Sequence, residues 1–112
     1  MTAQFPRLVE LQEVVGDELV HTMIDMFVST AQSDIPQLLN AIKQGDCATV
    51  RTDAHRMLGG CRNLGLDQLA AVCQHLEDEA RAGRVDQTAG AAVQATFEST
   101  VAQLREWASA TA

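Results

Sequence analysis

Apolar residues recur at spacings of three and four along most of the chain, which is the period of one face of an α-helix. From Cys47 onward, Val50, Ala54, Met57, Cys61 and Leu64 hold that spacing without a break and predict the clearest helix in the sequence. Gly65 stops it and Asp67 opens a successor, in which Leu66, Leu69, Ala70, Val72, Cys73 and Leu76 form a second stripe before Gly83. The two read as an antiparallel hairpin. Upstream, Leu19, Val20, Met23, Ile24, Phe27 and Val28 share one face of a helix capped by Asp17, and Leu38, Leu39 and Ile42 continue it beyond Pro36. Proline removes one backbone hydrogen bond, so a kink is expected there rather than a loop. Gly45 ends this helix and Asp46 caps the next. His21 falls off the apolar face and is expected in solvent. A short amphipathic segment, Phe5 to Val15, comes first, with Pro6 in its opening turn and Leu8, Leu11 and Val15 inward. Asp86 caps a last helix with Val93, Phe97, Val101, Leu104 and Ala108 inward, Trp107 at its flank and a frayed, Ala-rich end.

Four substantial helices joined by short glycine-containing turns predict an all-α fold: an antiparallel up-down-up-down four-helix bundle with a short extra N-terminal helix, one domain over 1–112. With 46% hydrophobic and 21% charged residues the composition is globular, and helix formers outweigh the β-branched and aromatic residues that strands favour. No apolar run approaches the ~18 to 20 residues needed to cross a bilayer, and the N-terminus lacks a signal-peptide layout, which implies a cytoplasmic domain without membrane contact. Cys47, Cys61 and Cys73 are odd in number, form no CxxC pair and fall on apolar positions, so they read as reduced core thiols. No ligand pair among His21, His55, His75 and the cysteines has zinc-site spacing, and no metal is expected. A formal net charge of −7 argues against nucleic acid as a partner. The basic residues are nonetheless uneven: Arg51, Arg56, Arg62, Arg81 and Arg84 fall within one stretch, and a locally basic face on an acidic body suits a small anion or an acidic protein surface.

At 3.6 residues per turn, the apolar stripe of the third helix, the one that begins at Cys47, is centred about 140° around its axis from His55, so this histidine faces outward. Arg51, Gly59 and Arg62 lie within about 40° of its azimuth. Neutral imidazole is a good nucleophile near physiological pH, and a ring nitrogen that attacks phosphorus gives a phosphoramidate able to pass its group onward. Gly59, with no side chain, leaves room for another protein beside the ring, and its cost of ~1 kcal/mol relative to alanine inside a helix calls for a reason. Arg51, Arg56 and Arg62 can attract an acidic partner or offset phosphoryl charge. Most exposed histidines are simply solvated, so position by itself leaves both readings open.

The run Ala54-His55-Arg56-Met57-Leu58-Gly59-Gly60, followed by Asn63-Leu64-Gly65-Leu66, Leu69, Cys73, Leu76-Glu77 and Arg81, resembles the signature of histidine-containing phosphotransfer (HPt) domains. Gly16-Asp17, Phe27, Leu38 and Gly45-Asp46 extend the likeness over most of the chain. The resemblance implies that His55 is the phosphoacceptor, that Gly59 opens access to it, and that Glu77 and Arg81 on the neighbouring helix line the same surface. Glu77 is alternatively no more than a helix ion-pair partner of Arg81 at i, i+4. One departure stands out: the family usually carries a lysine three positions after the histidine, where this chain has Leu58. Leu58 lies by azimuth between the histidine face and the core, so flank packing is its plain role, and Arg62 or Arg56 is left to replace the missing cation. The resemblance further implies a monomeric phosphoryl carrier without kinase or ATP-binding activity of its own. Its partners would be response-regulator receiver domains, including those of hybrid sensor histidine kinases, and the receiver would supply the Mg²⁺. A free-standing protein and a module of a sensor kinase both fit. The alternative is a degenerate HPt-like bundle that binds receivers without carrying phosphate.

Overall fold

The computed structural model describes residues 5–110, so Met1 and the last two positions of the Ala-rich end lie outside the described residues. Five helices follow one another: α1 (Pro6–Val15), α2 (Asp17–Gln44), α3 (Cys47–Leu64), α4 (Asp67–Arg81) and α5 (Ala89–Ala110). Helices α2 to α5 pack in a ring in which each touches its neighbours in sequence and α5 closes back on α2. Short turns make consecutive helices antiparallel, and the result is the expected bundle with α1 laid against α2 and α3. The body measures 42 × 22 × 21 Å. At 1.5 Å per residue the 28 residues of α2 span about 42 Å, the whole long dimension.

The turns end their helices in the same way. Gly45, Gly65 and Gly83 all have positive φ, and the next amide reaches back across the last turn: Asp46 to the Ala41 carbonyl, Leu66 to that of Cys61, and Arg84 to that of Glu79. Asp46 then caps α3, accepting from the Thr49 amide at 3.2 Å and the Thr49 hydroxyl at 2.7 Å. The hydroxyl bond foremost, then the amide, hold its carboxyl below the usual carboxylate range. Asp17 does not cap α2: Gly16 occupies that position, and the Asp17 carboxylate instead accepts from Gln12 at 2.6 Å. Leu66, not Asp67, occupies the cap position of α4. Asp86 closes a turn with Thr88 ahead of α5, which begins three residues further on.

The core is one layer of Leu, Ile, Val and Ala side chains between the helices, joined by Phe5, Phe97 and Trp107. Cys61 and Cys73 meet inside it; their hydrogen bond and burial push the Cys61 thiol well above its ordinary range. Cys47 is half-buried. Pro36 leaves α2 continuous. Both it and Gln32, whose carbonyl loses its intrahelical donor, are exposed, so water can take that bond. Four positions depart from the periodicity. Leu19 and Val15 are exposed because the 28 residues of α2 outreach the 18 of α3 near the α1–α2 corner. Trp107 is buried rather than at the flank, and His21 is half-buried with its ring edge-on to Trp107, centroids 6.3 Å apart. No described helix is long and apolar enough to cross a membrane.

Candidate functional site

His55 stands on the outer face of α3 with 71% of its side chain exposed. The antiparallel register of α3 and α4 sets a ladder of partners in which numbers rise on one helix as they fall on the other: His55 meets Glu77 and Arg62 meets Gln74. Nδ1 of His55 lies 3.1 Å from Oε1 and 3.2 Å from Oε2 of Glu77. The Glu77 side chain is 5% exposed and is held in turn by Arg81, whose Nη2 donates to Oε1 at 2.7 Å. A carboxylate can only accept, so a proton sits on Nδ1, and in the neutral ring the lone pair is left on Nε2, which has no protein partner among the described residues. A buried anion is costly unless paired. Arg81 and His55 together meet that cost, and the carboxylate becomes a rigid rest for the ring. This is the arrangement of an oriented nucleophile.

Two concavities flank the exposed face of α3, and only the first includes the ring. Toward α4, Ala48, Arg51, Thr52, His55, Glu77 and Arg81 line an open hollow of about 410 Å³. Helical side chains lean toward the N-terminus, so the His55 ring overhangs the turn that carries Arg51. Toward α2, a shallower, mainly apolar trough runs over Met23, Met26, Phe27, Gly60 and Leu64. Met26 is 64% exposed in it. Gly59 lies one turn beyond His55, and a Cβ added there would meet nothing within 4 Å. Gly60 differs: its Cβ would come within 3.1 Å of the Phe27 ring, so this glycine lets α2 approach α3.

Sequence reasoning placed Arg51, Gly59, Glu77 and Arg81 around the histidine, and the structure brings these four to it. It does not bring the others. Leu58 is 2% exposed and lies in the core, because α4 packs over that flank of α3; it lines no part of the surface. Arg56 points off to the side, where Nη2 donates to the buried Asp53 at 2.8 Å. Arg62 is engaged by Gln74 at 2.8 Å, and Gln74 by Asp78 at 3.0 Å. Neither arginine lines the hollow. Ala48, Thr52 and the α2 side of the trough escaped the sequence reading; periodicity marked Met23 and Phe27 only as core, and Met26 not at all. Among the described residues no three His, Cys, Asp or Glu side chains gather into a metal-binding group.

None of the curated proteins compared with the chain matches it. Among solved structures, the crystal structure of histidine-containing phosphotransfer protein B (HptB) from Pseudomonas aeruginosa PAO1 is similar, with a TM-score of 0.84 and 28% sequence identity, covering 95% of this chain and 93% of that one. A family model described as Hpt domain matches residues 22–107, taking in α3, α4 and all but the two ends of the bundle. The chain belongs to the Hpt domain family.

Proposed function

We propose that His55 is the phosphoacceptor through which this Hpt domain serves its phosphorelay, taking the group from the phosphoaspartate of one receiver domain and passing it to another. The observation that carries this reading is the exposed imidazole whose Nδ1 is fixed by buried Glu77, leaving Nε2 free. In the forward step the Nε2 lone pair attacks phosphorus, an N–P bond forms, and the acyl-phosphate P–O bond breaks, returning the receiver's aspartate as carboxylate. The Nδ1 proton stays between the ring and Glu77, which stabilises the positive charge the ring gains as it attacks. The return step is the same displacement run onto a second aspartate. Mg²⁺ belongs with the receiver, whose acyl phosphate needs its charge neutralised; on this side the ring is flanked by arginines and one paired carboxylate. The domain is a phosphocarrier, not a kinase.

The receiver approaches over Gly59, where no side chain intervenes, and its apolar rim covers the trough of Met23, Met26 and Phe27 beside it. A binding-only role, suggested by Leu58 in place of lysine, is disfavoured by the intact alignment of His55, Glu77 and Arg81. The test is incubation with a receiver domain charged by acetyl phosphate and Mg²⁺. A carrier gains an acid-labile, base-stable label that His55→Ala and His55→Gln abolish; binding without label in the unaltered protein would leave only the docking role.

A further inference from the structure

A phosphoryl group on Nε2 brings close to two negative charges to a surface whose nearest ion pair, Glu77 with Arg81, is already neutral in sum. Something must answer that charge. Arg56 is bound to Asp53, Arg62 to Gln74, Arg81 to Glu77 and Arg84 to Glu79. Among the described residues, Arg51 has no hydrogen-bond or ion-pair partner, and it lines the hollow that His55 overhangs. Thr52 sits next to it in the hollow, but its hydroxyl already donates to the Ala48 carbonyl at 3.0 Å. The position that would have offered a cation from the opposite side, residue 58, is a leucine sealed in the α3–α4 seam.

Building on the reading of His55 as the acceptor, we propose that Arg51 is the residue that grips the phosphoryl group on His55, so that the phosphorylated state is held from the N-terminal turn of α3. The guanidinium fork suits two phosphoryl oxygens at once, a charge-assisted geometry that lysine's single ammonium does not match. Its lack of a resting partner means that no existing bond is broken when it swings to the group. Arg51 is thereby a phosphoryl-binding and specificity residue: a receiver must leave it free to close, or present its own acid pocket to it during transfer.

The test needs no cognate partner. The full chain is treated with potassium phosphoramidate, which phosphorylates histidine directly, and the ³¹P resonance that His55→Gln removes is followed across the mildly acidic to mildly basic range. A phosphoryl group of this kind has its second ionisation near pH 6 in the absence of neighbours, at about the value for other phosphoryl side chains. An adjacent guanidinium favours the dianion, so the midpoint in the unaltered chain should fall below that of Arg51→Ala by about half a unit to one unit, with Arg51→Lys between them. Circular dichroism melts of the three proteins should coincide, since Arg51 is exposed and holds nothing else in place. Equal midpoints in the unaltered chain and Arg51→Ala would overturn the assignment while leaving His55 as acceptor. Failure of His55 to accept phosphate from phosphoramidate, under conditions in which free imidazole does, would overturn the acceptor reading and this inference with it.

Discussion

Replacing Gly59 should raise stability and lower activity together, a combination that a structural glycine does not give. The perturbation is Gly59→Ala, then Gly59→Gln. A Cβ at this position meets nothing within 4 Å, and the residue lies inside α3 with ordinary helical backbone, so no collision offsets the gain in helix propensity. That gain is about 0.8 to 1 kcal/mol for alanine and somewhat less for glutamine. For a chain of this size it corresponds to a rise of about 4 °C in melting temperature. The effect on chemistry has the opposite sign. Residue 59 sits four positions past His55, about 6 Å along the axis, and its side chain leans back toward the histidine's turn. A methyl group narrows the approach slightly; a glutamine fills it. Transfer from a charged receiver should slow by a few-fold in Gly59→Ala and by about tenfold to a hundredfold in Gly59→Gln, the scale expected when reacting groups are held an ångström or so out of line. The assay is the initial rate of label transfer from a phosphorylated receiver, with phosphoramidate labelling alongside. The small reagent should still reach Nε2 in both variants. An unchanged transfer rate in Gly59→Gln would show that no partner passes over this residue, and a lowered melting temperature would show that the space beside it is not open.

Other consequences follow from the same geometry. Glu77→Gln keeps an oxygen that can accept from both Nδ1 and Arg81 but removes the negative charge, and Glu77→Ala removes the rest for the ring altogether; transfer should fall by about tenfold or more in the latter, with a mixture of imidazole tautomers in the ¹⁵N spectrum, and a single tautomer retained in Glu77→Ala would contradict the role assigned to the carboxylate. Gly65→Ala places a Cβ against Arg7 at a backbone φ of +70°, so urea unfolding should report a loss of about 1 to 3 kcal/mol, of which Arg7→Gly in the same chain restores only the part due to the collision. Asp46 is bonded to Thr49 in the folded state and its carboxyl titrates below the unfolded value near 4, so its contribution is complete above about pH 4 and fades as the pH falls through the lowered folded value. The difference in melting temperature between the unaltered chain and Asp46→Ala should therefore shrink in acid, and a difference that stayed constant down to pH 2 would refute that linkage.

The architecture was largely open to reading because its determinants are local. Spacing of three and four marks a buried helical face wherever the helix is flanked on both sides, and glycine followed by aspartate marks the turns at Gly45 and Asp46. Where the reading failed, the cause is a neighbour that a single helix does not reveal. Leu58 sits by azimuth at the edge of the stripe, and only the arrival of α4 on that side decides that it is core. Leu19 belongs to the stripe and is exposed because α2 is longer than the helices beside it. His21 lies off the stripe, yet Trp107 of α5 reaches it. The same limit applies to the site. That His55 faces outward follows from one helix, but which arginine is free follows from partners such as Asp53, Gln74 and Glu79, and these distribute themselves only when the bundle forms.

The bond between His55 and Glu77 joins two helices, so the oriented imidazole that we propose as the acceptor is a property of the closed hairpin rather than of the α3 sequence. If α3 slid by one turn against α4, roughly 5 Å, the ring would lose its carboxylate and its fixed tautomer together. A nascent or damaged chain would then display the same residues without drawing phosphate from the relay. Competence to carry signal is in this way conditional on having folded.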